Sequence, residues 1–235
     1  MNDDKNITIY IDGKECIAKA SETIIQAATR AGVYIPSLCY YDGIKPTGAC
    51  RICTVNVNGR PVTACTTKVA DGMIIENDIP ELNEMRKTII ELLIVEGNHY
   101  CMFCEKSGNC DLQALAYRFK ILAPRFNYEF PDRQLEATKS KLLIDRNRCV
   151  LCKRCVQEVL TDEGKQLFAL SKRGNQTQVN IEETLIDEIT DDVAEKAMSM
   201  CPVGAIIKKQ KGYSTPIGER KYDKAPIGSK VEAKV

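Results

Sequence analysis

The chain has 235 residues, 44% hydrophobic and 28% charged, which are values of a folded globular protein and exclude a disordered or fibrous one. Thirty-three lysines and arginines against 32 aspartates and glutamates leave a net charge of +1, so no global field selects nucleic acid or an anionic membrane surface. Twelve cysteines and a single histidine are what sets the composition apart.

The first residues, Met1-Asn2-Asp3-Asp4-Lys5, are acidic and lead into alternating rather than continuous apolar positions, unlike a signal peptide. The longest apolar run, Ile89 to Val95, is broken by Glu91 and is too short to span a bilayer. The chain therefore reads as cytoplasmic, without a membrane span. In that reducing compartment cysteines are expected to hold metal rather than form disulfides.

Residues 1–79 read as a mostly β unit. Ile7, Ile9 and Ile11 alternate with polar residues, Asp12-Gly13 signals a hairpin turn, and Glu15 to Ala18 returns. Ser21 is expected to cap a helix carrying Ile24, Ile25, Ala27, Ala28 and Ala31, stopped by Gly32. A second hairpin, Thr54 to Val57 and Pro61 to Cys65 around Asn58-Gly59, precedes a closing strand from Met73 to Glu76. This order of strand pair, helix, cysteine loop and strands resembles a β-grasp ferredoxin. Residues 80–120 read as two helices: Leu82, Met85, Ile89, Leu92 and Leu93 recur at helical spacing between Pro80 and Gly97, and Leu112, Leu115, Ala116 and Phe119 mark the second. Residues 121–140, with Pro124 and Pro131 and no periodicity, read as a linker. Residues 141–210 form a small α+β unit, with strands at Leu142 to Asp145, Leu167 to Leu170 and Gln178 to Ile181 and a helix ending at Cys201-Pro202. The tail, 211–235, is rich in Lys, Gly and Pro and is expected to lie on a partner or stay mobile.

Eleven of the twelve cysteines, with His99, fall into three groups. The third is the most specific. Cys149, Cys152 and Cys155 lie on one Cys-x2-Cys-x2-Cys loop, and Cys201-Pro202, after 45 intervening residues, supplies the remote Cys-Pro ligand found in bacterial ferredoxins. A 4Fe-4S cluster fits better than a four-cysteine zinc site. The first group, Cys39, Cys50, Cys53 and Cys65, keeps a Cys-x2-Cys core but has a longer first gap than plant-type ferredoxins, and Gly43 and Gly48 let its loop turn tightly. The order of elements around it favours 2Fe-2S over zinc. In the second group Cys101, Cys104 and Cys110 lack a fourth thiol, and His99 is the nearest candidate, although a lone histidine is more often a satisfied helix-end residue. Neutral imidazole in place of thiolate would make that cluster easier to reduce. Cys16 reads as a packing residue. Arg51 and Arg154 lie inside cysteine loops, where they either offset cluster charge or face solvent.

The run Glu96-Gly97-Asn98-His99-Tyr100-Cys101, continuing from Cys104 through Gly108-Asn109-Cys110-Asp111-Leu112-Gln113 to Phe119, closely resembles the small diaphorase (gamma) subunit of cytoplasmic NAD-reducing nickel-iron hydrogenases. That subunit is similar to the amino-terminal part of the large iron-sulfur subunit of complex I, where three residues rather than Tyr100 alone usually separate the histidine from the next cysteine. The resemblance implies one 2Fe-2S and two 4Fe-4S clusters. It also implies a flavin/NAD-binding diaphorase large subunit and nickel-iron hydrogenase small and large subunits as partners, which carry FMN, NAD and the nickel-iron centre. The two 4Fe-4S clusters are then expected on the main electron route and the 2Fe-2S cluster on a branch. The sequence contains no Gly-x-Gly-x-x-Gly after a strand, so no dinucleotide site and no catalytic residue is expected in this chain. It reads as the electron-transfer subunit of a hydrogen:NAD+ oxidoreductase. The alternatives are an electron-transfer subunit of another NADH-linked complex, such as a formate dehydrogenase or a bifurcating enzyme, and a zinc-stabilised interaction module.

Overall fold

A computed structural model describes residues 5–137, 141–209 and 215–233. The sequence-based readings of residues 1–4, of 138–140 in the expected linker and of 211–214 and 234–235 in the tail lie outside the described residues. Alternating apolar residues bury one face of β1 (Asn6–Ile11), which pairs antiparallel with β2 (Lys14–Lys19). Residues 12 and 13 both have positive φ, as do Asn58 and Gly59 between β3 (Thr54–Val57) and β4 (Arg60–Thr63). Both turns thus have the left-handed pairs that match the twist of a hairpin. β5 (Ile74–Glu76) runs parallel to β1 and antiparallel to β3, closing a five-stranded sheet of order β2-β1-β5-β3-β4.

Helix α1 (Ile24–Arg30) packs Ile24, Ile25, Ala27 and Ala28 onto this sheet. Its N-cap is Thr23 rather than the expected Ser21. Thr23 still bridges Lys68 in extended geometry, so the chain cannot begin to coil before residue 24, and Gln26 reaches back to the Thr23 backbone N–H at 2.9 Å. Strand β4 likewise stops at Thr63, short of Cys65. The N–H groups of Thr66 and Thr67 turn back onto the Thr63 carbonyl and carry Cys65 out of the ladder toward the first cysteine loop.

Helices α2 (Pro80–Val95) and α3 (Asp111–Arg118) follow, separated by the loop of the second cysteine group. The stretch after α3, aperiodic in sequence, is tied down by side chains: Arg125 pairs with the fully buried Glu91 at 2.7 Å, and Asn98 donates to the Pro131 carbonyl. β6 (Leu135–Glu136) then pairs with β7 (Leu142–Asp145), which pairs with β10 (Ile206–Lys208). Between β7 and β10 lie α4 (Arg154–Glu158), the hairpin β8 (Phe168–Ser171) and β9 (Gln178–Ile181), and α5 (Asp191–Met200). Residues 215–233 carry α6 (Lys221–Lys224) and α7 (Ser229–Glu232) and fold back onto this same chain. Arg220 donates to Ser107, Tyr222 N–H to Gly108, and Arg118 to Ile227. These anchors are single polar contacts without periodicity, which is why composition alone suggested a tail that lies on a partner or stays mobile. Among the described residues no helix is long and apolar enough to cross a membrane.

Two apolar cores result. One lies under the five-stranded sheet, and the other runs through α3, α4, α5, β7 and β10. Leu38 and Ile52, each directly before a first-group cysteine, belong to the second core, so the first cysteine loop sits at the seam. Arg86 closes that seam. On α2, one turn from Leu82 and from Ile90, it is only 1% exposed and donates to the carbonyls of Ile52, Thr54 and Asn77 and to the side chains of Asn77 and Asn83. Burial pushes its pKa down to about 10, so it stays charged at neutral pH. Arg86→Met is expected to destabilise the fold by about 3 kcal/mol, because several buried carbonyls lose their donor. A lower temperature for thermal bleaching of the 2Fe-2S absorption in the purified complex would show this; an unchanged temperature would contradict it.

Candidate metal centres

Cys39, Cys53 and Cys65 are almost fully buried and Cys50 is half-buried. The four thiols form a connected set: Cys39 bonds with Cys50 and Cys65, Cys65 also bonds with Cys53, and the Cys39 N–H donates to Cys50 Sγ at 3.4 Å. Hydrogen bonds from Cys50 and Cys65 hold the Cys39 thiol far down, and the same sharing pushes Cys50 and Cys65 up. Cys53 is held down in the same way, so the set divides into two thiols shifted down and two shifted up, as four adjacent thiolates would repel one another. Gly43 (φ +88°) and Gly48 (φ +63°) provide the left-handed turns expected of them, and Arg51 adopts the same region at φ +61° between Cys50 and Cys53. Arg51 itself is exposed.

In the second group, a short turn from Cys101 to Phe103 leads to the buried Cys104, and Cys110 is the N-cap of α3, its sulfur accepting from the Gln113 N–H at 3.5 Å. The Gln113 side chain braces the loop by accepting from the Gly108 N–H and donating to Ser107. Burial pushes Cys110 up to about 12. Cys104 lies against Gly204, where a Cβ would collide with its sulfur, and Arg148 Nη1 lies 3.6 Å from that sulfur. His99 is held by close packing as well: a Cβ on Gly97 would lie 2.5 Å from His99 Nε2 and 2.8 Å from the Asn147 carbonyl. Burial lowers the His99 pKa to about 4, so the ring is neutral at pH 7 and has a lone pair to offer. Arg148 is a charged neighbour of both His99 and Cys104. Among the described residues no hydrogen bond joins His99 directly to the three thiols.

The third group surrounds a cavity otherwise lined mainly by apolar residues, among them Ile144, Val179, Val203 and Ile206. Leu151 (φ +50°) and Lys153 (φ +64°) adopt the left-handed region on either side of Cys152, which turns the loop tightly at the cavity. Backbone groups of Leu151, Arg154 and Val156 bond to the sulfurs of Cys149, Cys152 and Cys155, favouring thiolate. Burial opposes them, pushing Cys149 up to about 11 and Cys152 up to about 12. Among the described residues no three His, Cys, Asp or Glu side chains converge on a point as a single metal ion requires. The thiols instead ring a space, and a thiolate-rich, water-poor cavity with backbone N–H donors suits an iron-sulfur cluster. Cys16 is buried in the β-sheet core, which it shares with Cys53 and Cys65 of the first group.

The three groups meet. Arg154, next to Cys155, donates to the Asp111 carboxylate at 3.1 Å and to the Tyr40 carbonyl at 2.8 Å; Asp111 follows Cys110 and Tyr40 follows Cys39. The Asp111 N–H also donates to the Pro202 carbonyl, next to Cys201. Sequence reasoning left Arg154 open between cluster neighbour and solvent, and missed Arg86 and Arg148. For Arg86 the signal was there, a cation on the apolar stripe of α2. For Arg148 there was none beyond its closeness to Cys149.

Known families match in the same order. Residues 4–79 match the 2Fe-2S iron-sulfur cluster binding domain, 86–125 the iron-sulfur binding region of NADH-ubiquinone oxidoreductase-G, and 142–207 the 4Fe-4S single cluster domain. A crystal structure of NAD+-reducing nickel-iron hydrogenase in the H2-reduced state contains a chain that superposes with a TM-score of 0.86 at 36% identity, covering 94% of both chains. The 78 kDa subunit of mitochondrial NADH-ubiquinone oxidoreductase from Candida albicans is 32% identical over 86% of this chain, which spans 28% of that subunit. The gamma subunit of the NAD-reducing hydrogenase HoxS from Cupriavidus necator is 41% identical over 93% of this chain and 94% of its own length. With three iron-sulfur regions in the same order and near-complete mutual coverage, the chain belongs to the family of the gamma subunit of NAD-reducing hydrogenases.

Proposed function

We propose that this chain is the iron-sulfur electron-transfer subunit of an NAD-reducing hydrogenase, a hydrogen:NAD+ oxidoreductase, and that it works in the cytoplasm between two partners. One is the flavin/NAD-binding diaphorase subunit, the other the nickel-iron hydrogenase small and large subunits. The observation that carries the reading is the packing of three ligand groups around one buried ion pair. Identity of 41% to the hydrogenase subunit, against 32% to the complex I relative, favours it over another NADH-linked complex.

On this reading residues 1–79 hold the 2Fe-2S cluster on Cys39, Cys50, Cys53 and Cys65. Residues 80–120 hold a 4Fe-4S cluster on His99, Cys101, Cys104 and Cys110, and residues 141–210 hold the other on Cys149, Cys152, Cys155 and Cys201. Residues 121–140 join these units and 211–235 form the tail. When bound, the clusters would each supply one-electron oxidation and reduction. The chain's own residues set the conditions. Buried thiols with raised pKa values release their protons as ligands form, so assembly is favoured as pH rises. Apolar walls exclude water around the third group, and backbone N–H groups bond to its sulfurs. Neutral His99 contributes no charge where a thiolate would add one. The 4Fe-4S pair forms the main route and the first group a branch.

Cys152→Ala is expected to remove one 4Fe-4S signal and reduce hydrogen-dependent NAD+ reduction to background, while dye reduction by the partner hydrogenase persists. Hydrogen-dependent NAD+ reduction at the parental rate would contradict the relay assignment. His99→Cys should keep a cluster but shift its potential negative, because an anionic ligand replaces a neutral one. A redox titration followed by electron paramagnetic resonance reads this, and an unmoved potential would count against histidine ligation.

A further inference from the structure

We propose that Arg154 is a positioning residue that locks the three ligand groups in register and places a positive charge beside the third. The proposal rests on the relay reading above and adds the residue that makes the three centres a unit. Arg154 begins α4 between Cys152 and Cys155, and its side chain is 7% exposed. One nitrogen of the fork reaches Asp111 Oδ2 at 3.1 Å and the other the Tyr40 carbonyl at 2.8 Å, while the guanidinium lies 5.6 Å from the centroid of the Tyr41 ring. Each acceptor lies on the residue directly after a ligand of another group, Cys110 in one case and Cys39 in the other.

Asp111 is fixed from two further sides. Its N–H donates to the Pro202 carbonyl at 2.8 Å, and its second carboxylate oxygen accepts from the Tyr222 hydroxyl of the folded-back tail. A shift of any one ligand loop must therefore move the guanidinium or break a buried bond. Arginine suits this place because its planar fork serves two acceptors in fixed directions, which a single ammonium cannot do in the same way. Its charge has a second effect. Thiolate-ligated centres gain negative charge on reduction, and a desolvated cation among them favours the more negative state. The register of the three loops and the potential of the third centre thus share one side chain.

The test uses the whole complex carrying Arg154→Gln or Arg154→Lys, beside the Cys152→Ala variant. Three quantities are read: iron and acid-labile sulfide content, reduction potentials from titrations followed by electron paramagnetic resonance, and hydrogen-dependent NAD+ reduction. Glutamine should keep the full iron content, shift the third-group potential negative and slow NAD+ reduction by at least ~10-fold. Lysine should leave the potential near the parental value, because the charge is retained, yet still slow turnover, because the fork is lost. A glutamine variant with parental potential, or a lysine variant indistinguishable from glutamine, would overturn the proposal. So would equal loss of iron from both variants, which would make Arg154 an ordinary folding residue. If Cys152→Ala kept hydrogen-dependent NAD+ reduction, the relay reading would fall instead, so the two failures are distinguishable.

Discussion

Burying sets of sulfur ligands is the constraint around which this chain is organised. A desolvated thiolate is costly, and several side by side are costlier, so each set needs positive charge and N–H donors close by. The structure supplies an arginine to each. Arg86 grips the carbonyls on both sides of Cys53, Arg148 lies beside Cys104, and Arg154 stands between Cys152 and Cys155. Two of the three are almost fully buried, where a charge is kept only with partners. Their partners are carbonyls and acids within or beside the ligand loops, so charge compensation and loop geometry come from the same bonds.

That double use explains the architecture. The β-sheet core and the larger α/β core could have been independent, but Leu38 and Ile52 bring the first cysteine loop into the second core. Arg86 then pins α2 across the seam. The tail adds a further tie: Arg220 and Tyr222 fasten the loop before Cys110, and Gly228 packs closely on the Tyr34 ring. The loops that hold the ligands are thus braced from several elements at once, which keeps the ligand frames in place when charge is added or removed.

Much of this was legible in the sequence because its signals are local. The two positive-φ hairpin turns, the Pro80 start of α2 and the Cys-x2-Cys-x2-Cys loop each rest on residues within a few positions of one another, whereas the stripe expected on α2 was only partly right, since Leu82 is buried but Leu92 is 45% exposed. What was not legible depends on long-range contact. The start of α1 moved to residue 24 because Thr23 bridges Lys68, and the tail could not be placed because its anchors are single hydrogen bonds more than a hundred residues apart in sequence. Arg154 shows the limit most clearly: its position inside a cysteine loop suggested charge compensation, but nothing in the spacing named Asp111 or Tyr40 as its partners. His99 was found by a missing ligand rather than by a pattern, and the structure adds what sequence could not, a ring kept neutral by burial and held against Gly97.

The central claim, three complete four-ligand centres of which one uses a histidine, is tested most directly by Mössbauer spectroscopy with iron and sulfide analysis on the complex purified without oxygen. After the partner subunits' iron is subtracted, about ten irons and about ten sulfides are expected for this chain, divided between one 2Fe-2S and two 4Fe-4S components. Zinc in place of iron, or iron sufficient for only two of the three centres, would contradict it.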